Sequence, residues 1–393
     1  MLEVADARGV VLRACQPLDA APTPLAEALG RVLAEDVRAD LDSPPFTKAL
    51  MDGYAVRAAD GLNLRLTGVV AAGDPPGATV GPGESVRIFT GAPLPDGADA
   101  VVMVEKTEPA EPKVGEPVRL TEAVKPGQNV LPRGREMRAG DVVLPAGTAI
   151  APAAVGLLAG VGRAAVSTVR PPRVAVLATG SELVEADTKP GPGQIRNSNG
   201  PMLVAQAARS GAVPRYLGIG RDDPNVLAAM VRDGLANADV LILAGGVSVG
   251  AFDLVPGVLR ELDVEAHFHK VRMKPGKPLL FGTRGDKLVF GLPGNPVSSF
   301  VCFELFVRPA LRALAGHRDP GPNTATLPLC EPLSAKNDRP TFHPAKLEGT
   351  AVRPLPWFGS ADLRALLTAD ALLVLPPGEV RYEPGQPISV MLV

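Results

Sequence analysis

The spacing of apolar and polar positions divides the chain into stretches with different rhythms. Residues 24–37 (PLAEALGRVLAEDV) put Leu25, Ala28, Leu29, Val32 and Leu33 on one helical face, which predicts a lone amphipathic helix. Between 43 and 130 the pattern shortens. Apolar runs at 64–70, 85–89, 100–104 and 118–120 are separated by GDPPG, GPGE, PLPDGAD and KPGQN turns, which predicts a small β-dominated domain. Residues 135–168 return to a mixed pattern with an Ala-rich helix near 152–160, and the helix of 24–37 is expected to pack with them on either side of an inserted β domain.

From Pro171 onward apolar runs (174–178, 215–218, 240–244, 266–271, 288–290) alternate with helical stretches (201–210, 224–235, 254–262, 296–314). Continuous apolar strands between helices predict a parallel sheet covered on both faces. Asn199 and Asp223 precede first turns that contain Pro and are candidate helix N-caps. Residues 317–322 read as a polar Gly/Pro linker, and strands at 371–375 and 388–393 predict a β-rich C-terminal domain. The expected domains are 1–42 plus 131–170 (mixed), 43–130 (inserted, β-rich), 171–317 (parallel α/β) and 318–393 (β-rich).

Composition sharpens this picture at a few points. At roughly 150 residues per domain, 393 residues allow several domains, each able to bury a core. Charged residues are 21% of the chain and the net charge is −2, which excludes a basic nucleic-acid glove. The 42 Gly and 42 Pro residues fall in turns without a repeat. Cys15, Cys302 and Cys330 form no C-x-x-C pair, so neither a disulfide framework nor a thiolate zinc site is expected. The N-terminus MLEVADARGV has early acids and no apolar h-region, so a signal peptide is not expected and a reducing, cytoplasmic compartment is. Residues 142–162 contain no charged residue, but Pro145, Pro152 and four glycines make a buried strand-turn-helix the expectation rather than a membrane span.

Ligands of an open parallel sheet bind at the carboxyl ends of its strands. Three such ends carry unusual turns: Thr179-Gly180-Ser181-Glu182, the segment Gly245-Gly246-Val247-Ser248-Val249-Gly250-Ala251-Phe252-Asp253, and Gly291-Leu292-Pro293-Gly294-Asn295-Pro296. Glycines let backbone N–H groups approach an anion, and the helix starts that follow favour negative charge. Two of these turns add carboxylates, Glu182 and Asp253, so together they predict a pocket that handles phosphate and metal. No Walker P-loop is present. Lys270, Arg272, Lys274 and Lys277 concentrate positive charge in a loop stiffened by Pro275 and Pro278, which predicts oxyanion binding over a merely solvated loop. In the β domain, Asp52-Gly53-Tyr54-Ala55 and the Thr90-Gly91-Ala92-Pro93 turn are ordinary turn chemistry on spacing alone. His267 and His269 share one side of a strand, and His317 and His343 are expected in loops.

Taken together, MDGYAV (51–56), TGAPLPDGADAVV (90–102), TGSEL (179–183), IRNSN (195–199), GGVSVGAFD (245–253), MKPGKP (273–278) and GLPGNPVSS (291–299) resemble the molybdopterin molybdenumtransferases, the MoeA family, related to the E domain of gephyrin. The resemblance covers nearly the whole chain. It implies insertion of molybdenum from molybdate into adenylylated molybdopterin with release of AMP, aided by Mg²⁺. It implies a homodimer whose site is a cleft shared with the β domain of the other subunit, and it admits the molybdopterin adenylyltransferase as a partner. The family's catalytic positions match Asp52, Thr90, Glu182, Asp222 and Asp253, with Glu182 and Asp253 as metal ligands. Its substrate-binding positions match Lys270, Lys274, Lys277, Gly245, Gly246, Ser248, Gly250, Pro293, Gly294 and Pro296. Two departures stand out. Phe46-Thr47-Lys48-Ala49-Leu50 replaces the usual small polar residues, and GQNVLPRGREM at 127–137 has Leu131 where the family has Arg, leaving Arg133 or Arg135 as a substitute. The α/β domain alone also resembles the adenylyltransferase, and a pterin-binding scaffold without insertase activity is a third reading; the MDGYAV segment and the chain length favour the insertase.

Overall fold

The computed structural model describes residues 1–246 and 254–393. The chain forms two compact units, one of residues 1–35, 146–152 and 165–393, the other of residues 36–145 and 153–164.

The second unit is built on a six-stranded sheet in the order Ala100–Met103, Gly53–Val56, Glu84–Ile88, Asn63–Val70, Pro117–Leu120, Thr107–Glu108. The predicted β runs all appear. Their alternation divides the side chains between two cores: Ala55, Val86, Ile88 and Val101 pack on one face, while Tyr54, Leu64, Leu66, Ala100 and Val102 pack on the other. The charge-poor stretch forms the helix Pro152–Gly160. Among the described residues no helix is long and apolar enough to cross a membrane.

The first unit contains a six-stranded sheet in the order Val213–Gly220, Arg173–Thr179, Val240–Ala244, Lys287–Leu292, Pro278–Arg284, Glu265–Lys270. The first four strands are parallel, as expected. Period-two alternation sends Val174, Val176, Val240, Ile242, Leu288 and Phe290 to one face, and Ala175, Leu177, Leu241, Leu243 and Val289 to the other. Helices Val4–Arg13 and Asn199–Arg209 and the long 296–314 helix cover the first face; Pro224–Asn237 and Val255–Glu261 cover the second. The long helix contains a π-helical turn at Phe303–Val307, where the buried Glu304 accepts from Gln206, Arg209 (2.6 Å) and Arg308 (2.9 Å). The C-terminal part forms a separate five-stranded sheet, Thr324–Pro328, Pro387–Leu392, Ala371–Leu375, Thr341–Glu348, Ala351–Pro354, with its own core.

Several sequence expectations are corrected. Residues 24–37 are not a helix. Only the short 3₁₀ turn Leu25–Glu27 forms, Gly30 takes a left-handed φ of 77° that ends it, and β-branched Val32 pairs instead with the strand Ala165–Val169. The two segments do associate, because Ala20–Pro24 pairs along the other edge of that strand. The sheet is mixed rather than wholly parallel, because Pro278–Arg284 and Glu265–Lys270 run antiparallel. The connections at 271–277 and 285–286 are too short for a parallel crossover. The helix Val4–Arg13 has no counterpart among the sequence expectations. Asp223 caps its helix as expected, accepting from the amides of Asn225 and Val226. Asn199 is instead the first helical residue, with its side chain turned to the backbone of Gly294. His343 lies in the strand Thr341–Glu348, not in a loop.

Asp239 ties together the amino ends of three strands. Arg170 grips it bidentately at 2.7 and 2.8 Å, the Arg173 amide donates at 2.8 Å, and Lys287 stands 3.8 Å away. Burial pushes the Asp239 carboxyl up, but these hydrogen bonds and the charges of Arg170 and Lys287 outweigh it and hold the carboxyl below its ordinary value. A depressed folded value means that this stabilisation is fully present above the unfolded carboxylate pKa of about 3.9. It is lost as pH falls through the folded value. Asp239→Ala is expected to lower the unfolding free energy by about 3 kcal/mol at neutral pH, measured by urea denaturation. Asp239→Asn should lose less stability than the parent between neutral pH and pH of about 3; parallel pH profiles for the two would mean that Asp239 carries no such linkage.

Candidate functional site

The carboxyl ends of the central strands finish level with one another: Thr179 pairs with Gly220, Ala178 with Ala244, and Ala244 with Leu292. At the first end the Gly180 amide donates to Gly220 O at 3.1 Å. Ser181 and Asp222 then bond reciprocally, the Ser181 amide to the Asp222 carboxylate and the Asp222 amide to the Ser181 hydroxyl, both at 3.1 Å. Glu182 follows directly and is exposed. This places the predicted acid Asp222 against the turn that carries Glu182.

The second end is held by close backbone approach. Gly245 has φ 101°, and a Cβ on it would lie 2.5 Å from the Thr179 carbonyl oxygen. Gly246 has φ 60°, with Thr179 Oγ1 and Val255 each 3.0 Å from where its Cβ would be. The Gly245 amide donates to Leu292 O at 3.0 Å. Ser248, Gly250 and Asp253 lie outside the described residues. The third end touches the second, since a Cβ on Gly294 would lie 3.8 Å from Gly245 Cα. Its carbonyls are braced by side chains: Asn199 donates to Gly294 O at 2.7 Å and the Ser299 hydroxyl donates to Pro293 O. The IRNSN motif thus has a local explanation, because Asn197 also receives the Gly200 amide at the helix start.

The basic loop meets the C-terminal sheet. The Lys274 amide donates to Pro340 O at 2.8 Å, and the Phe342 amide donates back to Lys274 O at 2.8 Å. A cavity of 530 Å³ opens here, lined by Lys274, Gly276, Lys277, Pro293, Asn295, Ser298, Arg339, Trp357 and Ser360, among others. Asn295 donates to the Ser360 hydroxyl at 2.9 Å, and Ser360 O accepts the Val297 amide at 2.9 Å, so the C-terminal loop is sewn to the Pro296 helix start. Lys274, Lys277 and Pro293 are therefore gathered in one cavity. Lys270 is not among its lining residues and is exposed at the end of its strand. Sequence reasoning did not find Asn295, Ser298, Arg339, Trp357 or Ser360 as site residues. The last three come from turns of a domain that carries no local motif.

In the second unit, Asp52 accepts both the Thr90 hydroxyl (2.6 Å) and the Thr90 amide (2.7 Å). These bonds, with the charge of Arg87, hold the exposed Asp52 carboxyl below its usual value against a small desolvation effect. Arg87 in turn lies 5.0 Å from the Tyr54 ring centroid and 5.5 Å from that of Phe89. Two residues singled out 38 positions apart thus form one hydrogen-bonded pair. Arg133 in the divergent loop is bonded to Asp42 at 2.7 Å.

The cysteines are not poised for chemistry. Burial pushes the Cys15 thiol up to about 12, and it raises that of Cys302, which packs against Gly276 beneath the basic loop. Among the described residues there is no cluster of three or more His, Cys, Asp or Glu side chains able to hold a metal ion.

Sequence profiles of known families match the chain in three blocks. Residues 2–162 match the MoeA N-terminal region (domain I and II), residues 175–313 a probable molybdopterin binding domain, and residues 326–393 the MoeA C-terminal region (domain IV). The chain is 36% identical to a molybdopterin molybdenumtransferase of Bacillus subtilis (strain 168), over 94% of this chain and 89% of that one. It is 35% identical to one of Staphylococcus aureus (strain Mu50), over 94% and 90%. Its fold is similar to a crystal structure of the molybdopterin biosynthesis MoeA protein of Pyrococcus horikoshii, with a TM-score of 0.82, 30% identity and full coverage of both chains.

The glycines at the strand ends make different demands. Gly245→Ala places a Cβ against a backbone oxygen at a φ that L residues disfavour, so a loss of about 2 kcal/mol or more is expected. Gly294→Ala meets only ordinary van der Waals contact and should cost well under half as much. Thermal unfolding of both variants checks this; equal losses would mean that the Thr179–Gly245 approach is not a tight constraint.

Proposed function

This chain belongs to the MoeA family of molybdopterin molybdenumtransferases, and from that premise we propose that its cationic cavity holds the anionic reactants of molybdenum insertion, molybdate and the phosphate of adenylylated molybdopterin. The chain is a transferase of molybdenum-cofactor biosynthesis. The observation that carries the site assignment is the gathering of Lys274, Lys277 and Arg339 with the Ser298 and Ser360 side chains in one cavity. An oxyanion is bound best by fixed cations together with neutral donors that need not reorganise. Proline and glycine fix the basic loop, and the Lys274 backbone is held by the neighbouring strand on both its amide and its carbonyl. Lys270 is assigned to outer steering of the same anions.

The acids take positioning roles in this reading. Asp52 is ionised and orients the Thr90 hydroxyl, while Asp222 shapes the Ser181 turn that presents Glu182. Mg²⁺ is ordinarily held by one or two carboxylates plus substrate phosphate oxygens. The exposed, hard-oxygen Glu182 suits that sparse set, with Asp253 as the second proposed ligand. Bound there, Mg²⁺ would neutralise charge on the phosphates. Ser248, Gly250 and the amides of Gly245, Gly246 and Gly294 are assigned to substrate contact, with Pro293 and Pro296 keeping the turn rigid. Family membership also supports a homodimer, a cytoplasmic setting and a molybdopterin adenylyltransferase as the supplying partner. The four-domain division at 42/43, 130/131, 170/171 and 317/318 belongs to this reading. Its last two boundaries are supported by the breaks between matched blocks at 162–175 and 313–326.

Lys274→Ala and Lys277→Ala should each weaken adenylylated-molybdopterin binding by about 1.5–3 kcal/mol, or roughly 10- to 150-fold. Calorimetric titration measures this, and undiminished affinity would return the loop to a solvated surface feature. Glu182→Gln should leave binding within a factor of about three but lower AMP release at saturating substrate, with a shifted dependence on Mg²⁺ concentration. Normal turnover with an unchanged Mg²⁺ profile would remove Glu182 from the proposed metal set. Light scattering should give twice the 40.6 kDa chain mass.

A further inference from the structure

The cavity is much larger than the oxyanion that its cations suit. One water occupies about 30 Å³ of liquid, so a tetrahedral oxyanion fills only a small part of 530 Å³. Cavities of this size ordinarily bury an organic ligand between apolar walls and a few placed polar groups. One wall here is Trp357, the only tryptophan of the chain.

The indole is fixed before any ligand arrives. Its Nε1–H donates to Gly359 O, so the ring has no unmet donor to aim at a partner. Its edge meets His343 at 5.6 Å between centroids and 81° between planes, and His343 Nε2 is itself 2.9 Å from Leu355 O. Trp357 is half-buried, packs against the apolar core and also lines the cavity. The bonds from Asn295 and Val297 to Ser360 hold the loop that carries it. A fixed aromatic side chain beside cations is the recognition chemistry of a flat ring that carries a phosphate.

We propose that Trp357 is a stacking wall for the heteroaromatic ring of the bound substrate, holding that ring while its phosphate pairs with Lys274, Lys277 and Arg339. The inference rests on the reading of this cavity as the substrate site. Pterin and adenine share the required chemistry, and both occur in adenylylated molybdopterin, so the test separates them.

The test titrates the full-length chain calorimetrically with adenylylated molybdopterin, molybdopterin alone, AMP alone and molybdate alone. Trp357→Leu should bind adenylylated molybdopterin about 5- to 150-fold more weakly. It should show a similar loss for whichever half carries the stacked ring and no loss for molybdate. Trp357→Phe should recover to within about threefold of the parent. Unchanged affinity of Trp357→Leu for all the ring-bearing ligands overturns the inference. If Lys274→Ala loses affinity while Trp357→Leu does not, stacking alone falls. If Lys274→Ala binds as tightly as the parent, the reading of the cavity falls. Should Trp357→Leu fail to fold, acrylamide quenching of the single tryptophan in the parent decides. Saturating AMP or molybdopterin should lower the quenching constant and molybdate should not, and a lack of shielding by either ring-bearing ligand overturns the proposal.

Discussion

The site depends on a contact that only a residue without a side chain can make. Gly245 runs so close under the Thr179 carbonyl that a methyl group would overlap it, and Gly294 lies against Gly245 from the next strand. The three strand ends can therefore converge instead of splaying apart. The Pro296 helix start then lies where Asn295 can reach Ser360, and the cationic loop and C-terminal turn close around the same space. The opposite end is secured by a different device, because Asp239 gathers the amino ends of the strands with charge rather than close packing. One end of the sheet is polar and pinned, which leaves the other free to be shaped for ligands.

Much of this was legible in the sequence, for a physical reason. The parallel strands are buried on both faces, so Val174–Thr179 and Val240–Ala244 read as unbroken apolar runs, and the helices between them carry periodic stripes and a capping Asp223. The β unit was legible because its turns are dense in Gly and Pro. Residues 24–37 misled because five apolar residues at helical spacing also suit short strands, and the choice was made by pairing with Ala165–Val169, far away in sequence. The antiparallel edge was missed because PGKP was read as a binding loop, although it is also the tight connection of a hairpin.

The candidate site divides in the same way. Lys274, Lys277 and Pro293 announce themselves by local clustering. Asp52 and Thr90 do not; their bond joins two turns 38 residues apart, and only family resemblance singled them out. Arg339, Trp357 and Ser360 gave no sign at all, because their relevance arises only where a strand of one sheet lies against a loop of another. Residues that line one cavity need not share a motif.

The pair of hydrogen bonds between Lys274 and the Pro340–Phe342 backbone has a consequence for how the protein is made. A ribosome releases the chain from its N-terminus, and domains fold largely in that order. The glycine turns and the basic loop emerge with the α/β sheet. The arginine, the tryptophan and the serine that complete the cavity emerge later, with the C-terminal sheet. A nascent chain can therefore carry a finished α/β sheet and still lack this cavity, which closes only when the C-terminal sheet folds against the basic loop.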